Sequence, residues 1–499
     1  MDTATFAGNT AWVLTAVIAV ALMLPGLALF YGGMVSRKTA MNMMLMVFGS
    51  FCVVGVLWIA FGYSAVFGNS IGGLGLLGNP LEFAGLGQLL TAPDDAALPP
   101  LALAALHLMF AGLTAGIVAG AAADRMKFGA WLAFAGIWAS LVYFPVAHWV
   151  FAFDSADGSV RGGWIANTLG AIDYAGSTAI HVNSGVAALA LALVLGKRRT
   201  WPVQPKAHSL PLTLLGVGLL FTGWIGFDGS GLGAADNNAA VAVFNTVAAT
   251  CAGVVVWLLV EKIRDGHPTT LGASSGAIAA LVAITPSCGA VTPLAALAIG
   301  GAAGAVCYFA VALKYKLGFD DALDVTALHL IGGVVGGLLI GILATPEAPS
   351  GATGLFYGGG FELLGRQALA ILAVFAYTFT VTWVIAKVLD LTMGIRVAAP
   401  VEAKGLDISL HAENAYENGE DKAHAPRGHA EQLHHLVGER LRRSRRQPPA
   451  KTCGGPADQP AVRSAGRTRR SPTMPGRRGR RRRSPAARCS IRTSAGWGR

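Results

Sequence analysis

Long apolar runs separated by short polar loops dominate this chain. Eleven segments reach or approach spanning length: residues 10–31, 42–67, 101–123, 128–152, 177–196, 211–232, 238–260, 271–286, 292–313, 325–344 and 368–393. A helix needs about 20 mainly apolar residues to cross the hydrocarbon of a bilayer. The eighth segment is the shortest. Glycine runs such as LIGGVVGGLLIG and AIGGAAGA present small-residue faces that let helices pack closely in lipid. The pattern predicts an all-α polytopic membrane protein with eleven transmembrane helices.

The loops orient it. Those after odd-numbered spans hold Arg37, Lys38, Arg125, Lys127, Lys197, Arg198, Arg199, Lys206, Lys262, Arg264, Lys314 and Lys316, whereas those after even spans hold only Arg161 and Arg366. Basic loops stay inside, so the N-terminus is expected outside and the C-terminus in the cytoplasm. The opening MDTATFAGNT has no basic residue, so it does not read as a signal peptide and the first span is expected to be retained. Five spans per half invert the second half relative to the first. Spans one to five and six to ten are therefore expected to form two inverted five-helix repeats, with an eleventh helix added.

Charge divides the chain differently. Of 499 residues, 54% are hydrophobic and 13% charged, for a net charge of +11. Residues 1–400 carry 16 Lys/Arg against 18 Asp/Glu, and residues 401–499 carry 22 against 9. The basic balance belongs to the tail, so it gives no ground for a nucleic-acid binder in the folded part. We expect a membrane domain over 1–398, a cytoplasmic segment over 399–425, and an Arg/Pro-rich tail over 426–499 that cannot bury a core and is disordered. The tail's basic runs suit anionic lipid or nucleic acid; a shifted reading frame in a GC-rich gene gives the same composition. The six cysteines show no paired metal spacing, and no cofactor is expected.

Two histidines stand out inside apolar spans. His181 lies in the fifth and His329 in the tenth, equivalent places under the repeat. An imidazole in hydrocarbon normally faces a bundle interior or a polar path. Packing histidines bonded to a neighbouring helix are the plainer reading of either alone; a matched pair points to a shared path. Each has an aspartate upstream, Asp173 and Asp324. Depth leaves contact open, because His181 begins near the outer end of its span and His329 near the inner end of its own.

Several strings resemble the ammonium transporter family (Amt/Mep/Rh), bacterial Amt type. The clearest is DYAGSTAIHVNSGVAAL; in family order stand LPGLALFYGGMVSRK, AGAAADRMKF, SLVYFPVAHW, TGWIGFDGS, FNTVAATCAG, LGASSGAIAALVAITPSCG, DDALDVTALH and GLDISLHAENAY, together covering roughly residues 10–416. The resemblance implies a homotrimer with one narrow pore per subunit, in the plasma or inner membrane, carrying ammonium/ammonia with methylammonium as an analogue. It implies pore histidines at His181 and His329, gate rings at Phe110 and Phe227, and an outer recruitment site at Asp173, Phe151, Trp224 and Ser230. Asp173 also has the look of a helix cap, which is compatible with that role. Apart from the surrounding strings, Phe110 and Phe227 read as core or lipid-facing rings, Trp224 as packing, and His107 and His148 as structural.

The residue types suit the cargo. Potassium matches ammonium in size and charge, but only ammonium can shed a proton. An aromatic face holds a cation by roughly 0.5–2 kcal/mol. A dry gate then penalises charge, and two imidazoles can receive the ammonia that passes.

This chain also departs from the family. Phe151 stands where a Trp is usual, and Trp149, two residues earlier, points about 200° away on a helix. Leu106 replaces a second outer Phe, the usual serine position is Gly231 with Ser230 one place early, and Asp228 replaces an Asn. The segment VEAKGLDISLHAENAY resembles the cytoplasmic part that meets PII-type signalling proteins. Conduction is the leading expectation. An ammonium sensor signalling through the tail is the alternative from another class, and a transporter of a larger solute is the weaker transport reading. No nucleophile–base pair, metal cluster or nucleotide loop supports an enzyme.

Overall fold

The structure, a computed structural model, describes residues 3–416 apart from 94, 95, 205 and 232. The basic tail expected over 426–499 lies outside the described residues. Among the described residues, ten helices are long and apolar enough to cross a membrane: Thr3–Met34, Ala40–Phe67, Pro100–Ala122, Phe128–Phe151, Ser177–Leu195, Leu210–Gly229, Asn237–Asp265, Pro293–Leu317, Thr326–Leu343 and Glu362–Met393. Thr270–Ile284 is a shorter apolar helix that fills the eighth place. Among the described residues there is no strand, only two isolated bridges. The molecule is an all-α multi-pass membrane protein.

Several ends differ from the expected ones, and each has a polar cause. The first span starts at Thr3 and not at residue 10 because Asn9 is buried and satisfied. Its amide donates to Ala97 O at 3.1 Å and accepts from Ala235 N at 3.0 Å. That span also breaks after Ala21, four residues before Pro25, whose missing N–H leaves the turn unbonded. The eleventh begins at Glu362, six residues early, because buried Gln367 trades two 2.7 Å hydrogen bonds with the backbone of Ile172.

Glycines set the helix pairs. Gly26 of the first span and Gly216 of the sixth face each other's backbone, as do Gly185 of the fifth with Leu330 and Gly333 of the tenth with Val182. First-with-sixth and fifth-with-tenth are the pairs that a two-fold axis between inverted repeats brings together. The repeat extends to backbone detail, since both the fifth and tenth spans open with wide i→i+5 turns, Ser177–Val182 and Thr326–Ile331.

One equivalence is corrected. Asp173 lies eight residues before His181, and its match is Asp321, eight before His329, not Asp324. Asp321 Oδ2 accepts from Thr326 N at 2.6 Å as the cap of the tenth helix. Asp324 instead pairs with Lys314 at 2.5 Å.

Candidate functional site: a buried histidine pair

The approaches to the two histidine helices are themselves buried, at Tyr174–Ala175 on one side and Asp320–Leu323 on the other. Both helices therefore begin inside the protein, which brings together side chains that the sequence places at opposite depths. His181 Nδ1 and His329 Nδ1 are 3.2 Å apart, and both residues are buried. In a neutral pair one Nδ1 donates and the other accepts, so the rings are opposite tautomers. One Nε2 is then an acceptor and the other a donor, which gives the pair a direction.

Trp224 stacks on His181 with ring centroids 5.2 Å apart and planes 20° from parallel. Its Nε1 donates to Thr285 Oγ1 at 2.9 Å, which fixes the ring. Trp224 therefore belongs to the histidines rather than to the outer group with which the sequence reading placed it. Phe227 lies one turn further along the same helix. Its ring meets Phe110 of the third span at 4.2 Å, and both phenylalanines are buried.

Between these groups and Met23, Leu27, Phe30, Leu113, Ile117 and Ile278 lies a cavity of about 20 Å³. That is room for one water-sized molecule. Its wall is apolar except for the imidazoles, and His181 Nε2 has no protein partner.

The four residues expected at the recruitment site do not form one cluster. Asp173 caps the fifth helix. Its carboxylate accepts from the backbone N–H of Gly176, Ser177 and Thr178 at 2.9, 2.5 and 2.7 Å, from Ala179 N at 3.3 Å, and from the Thr178 hydroxyl. Both of its oxygens are engaged in this cap. Phe151 reaches the Phe110–Phe227 ring pair through His107, whose ring lies 5.7 Å from Phe151 and 5.4 Å from Phe110. His107 was read as structural, and its Nδ1 does bond Leu103 O at 3.1 Å. It also links Phe151 to Phe110. The signal was its place three residues before Phe110, on the same helix face.

Ser230 is buried, and its hydroxyl turns back to Phe227 O at 3.4 Å. At Gly231 a Cβ would lie 2.6 Å from Tyr174 O, so no serine fits there. Trp149 faces away, donating to Leu76 O at 2.8 Å and packing on Tyr377. His148 Nδ1 bonds Val66 O at 2.6 Å in a structural role.

The face carrying the odd loops holds a buried ionic cluster. Arg198 bonds Asp320 through Nε and Nη2 at 2.9 and 2.8 Å and reaches Asp124 at 3.1 Å. Burial pushes the Asp320 carboxyl up, but hydrogen bonds and charge from Arg198, with Arg125 adding, hold it below the usual range. The segment after the eleventh span is seated by polar contacts. Asp407 accepts from Met41 N at 3.1 Å and Asn42 N at 2.7 Å, capping the second span. Glu402 joins Arg199 N at 2.6 Å to Arg396 at 2.8 Å. Of its apolar residues, Leu406 is buried, Ile408 half-buried and Leu410 37% exposed. Polar capping, more than apolar docking, seats the segment.

The sequence model of the Ammonium Transporter Family matches residues 11–416. The chain belongs to the ammonium transporter family. The ammonium transporter of Mycobacterium tuberculosis (strain ATCC 25618 / H37Rv) is 49% identical over 433 residues, covering 82% of this chain and 90% of that protein. Among solved structures, Saccharomyces cerevisiae Mep2 aligns with a TM-score of 0.71 at 33% identity, covering 79% of this chain and 88% of its own. A structure described as a sensor Amt protein aligns with a TM-score of 0.76 at 28% identity, over 82% of this chain and all of that one. This ammonium transporter family member thus resembles both transporters and a protein described as a sensor.

Proposed function

We propose that the chain draws ammonium to an outer vestibule, where the ion yields its proton to the water it leaves behind, and passes ammonia through the Phe110–Phe227 gate and along His181 and His329. The observation that carries this reading is the 3.2 Å histidine pair beneath a closed ring gate in a cavity for one small molecule. A cation entering that cavity would lose its water and meet no counter-charge, a cost of many kcal/mol. Ammonia can instead exchange hydrogen bonds with the free edges of the imidazoles. Potassium has no neutral form and stops at the gate.

Phe151 and His107 supply ring faces at the mouth, Asp173 attracts the cation through space, and Ser230 closes the turn behind Phe227. The protein acts as a transporter and not an enzyme. It sits in the plasma or inner membrane as a homotrimer, N-terminus outside and C-terminus in the cytoplasm. The polar seat of residues 399–416 suits contact with a PII-type signalling protein on that face.

The sensor reading is favoured by the likeness to the sensor Amt protein and by the tail's caps on the second span. Uptake of labelled methylammonium into cells, with and without competing ammonium, decides between them. Saturable uptake that ammonium suppresses is expected. Binding without uptake would leave the sensor.

A further inference from the structure

Asp228 is an acid that the pore account does not use. It follows the gate ring Phe227, is fully buried, and takes part in none of the ion pairs among the described residues. Its Oδ2 lies 2.6 Å from Thr246 Oγ1 of the seventh span, and its Oδ1 has no hydrogen-bond partner. As a carboxylate it would be a dry charge with no cation beside it and Asp173 within electrostatic reach, because the nearby Thr285 hydroxyl and Trp224 N–H are already given to Leu281 O and Thr285; proteins avoid that arrangement.

The hydrogens can be counted. Thr246 Oγ1 also lies 2.8 Å from Ala242 O, one turn back on its own helix. A hydroxyl has one hydrogen. If Asp228 were ionised, that hydrogen would face two acceptors and could fully satisfy only one. If Asp228 carries a proton on Oδ2, it donates to Thr246, and Thr246 donates to Ala242. Both distances are then ordinary O–H···O bonds.

We propose that Asp228 works as an uncharged acid: a hydrogen-bond donor that pins the gate helix, not an anion that recruits the cation. It is a positioning residue. With Trp224, which is bonded to Thr285 one turn earlier, it fixes the sixth span to its neighbours on both sides of Phe227. A neutral donor also adds no second fixed charge, beside Asp173, that would hold ammonium as an ion pair.

Two measurements test this. The first is the infrared spectrum of the full-length protein in lipid, wild type minus Asp228→Asn. The difference should contain the carbonyl stretch of a protonated carboxylic acid. Thr246→Val, which removes the acceptor, should shift that band to higher frequency. A carboxylate band in its place would overturn the proposal.

The second is the methylammonium uptake curve, and it rests on the transport reading above. The asparagine amide also donates to Thr246, so Asp228→Asn should keep both the half-saturation constant and the maximal rate. A raised half-saturation constant at unchanged maximal rate would show that the charge itself recruits the cation, and would also overturn the proposal. If the wild type does not transport, the transport reading falls, and the infrared band still decides the state of Asp228.

Discussion

Gly185→Ala should disable the pore without touching it. Gly185 lies one helical turn beyond His181 and faces Leu330, the neighbour of His329. A Cβ at Gly185 would stand 2.3 Å from Leu330 N and 2.7 Å from its Cα. Those are backbone atoms, so no side-chain rotation relieves the clash. Reaching an ordinary contact of 3.4 Å asks the fifth and tenth spans to part by about 1.1 Å. Passed on to the histidines, that opens 3.2 Å to about 4.3 Å, beyond hydrogen-bond reach. Overpacking of this kind typically costs about 1–3 kcal/mol.

The assay is methylammonium uptake by purified protein in liposomes, beside a thermal melt in detergent. Gly185→Ala should lose most transport and melt lower. Gly333→Ala, whose Cβ meets Val182 N at 3.3 Å, should be milder. Gly218→Ala, with nothing within 4 Å, should behave as wild type. Wild-type rate and selectivity in Gly185→Ala would refute the claim that fifth–tenth packing sets the histidine pair.

Three further outcomes are expected. Because Arg198 holds Asp320 below its usual pKa, the stability this pair adds is present above the unfolded value and is lost as pH falls through the folded one. Asp320→Asn should therefore flatten the acid limb of melting temperature against pH, and an unchanged acid limb would count against the pairing. In a background lacking Cys52, Cys251, Cys453 and Cys489, cysteines placed at exposed Gln88 and Thr200 should label from opposite sides with an impermeant reagent, and labelling of both from outside would overturn the orientation. Truncation after Ala425 should leave transport unchanged, whereas truncation before Gly405 removes the Asp407 cap and should impair transport or its regulation, as side-by-side uptake at matched expression will show.

The spans and the histidines were legible because hydrocarbon tolerates few alternatives to a long apolar helix, and an intramembrane imidazole is costly enough to be informative. Contact between the histidines was not legible. It depends on buried approaches to the fifth and tenth helices, which look like ordinary loops in sequence. The choice of Asp324 over Asp321 followed from proximity, while the shared eight-residue spacing held the better signal. By identity Trp224 fits both a cation site and a stacking platform, and its bond to Thr285, 61 residues away, holds it in the stack on His181. The early starts of the first and eleventh spans rest on Asn9 and Gln367, whose partners are likewise remote in sequence.

The central claim is that paired imidazoles under a dry gate pass ammonia and refuse potassium. Purified protein in liposomes, challenged separately with ammonium and potassium gradients, tests it most directly when wild type is run beside His181→Ala and His329→Ala. The account predicts an ammonium response and no potassium response in the wild type. Each variant should either respond less to ammonium or begin to admit potassium. Variants that fold, insert and match the wild type in both rate and selectivity would contradict it.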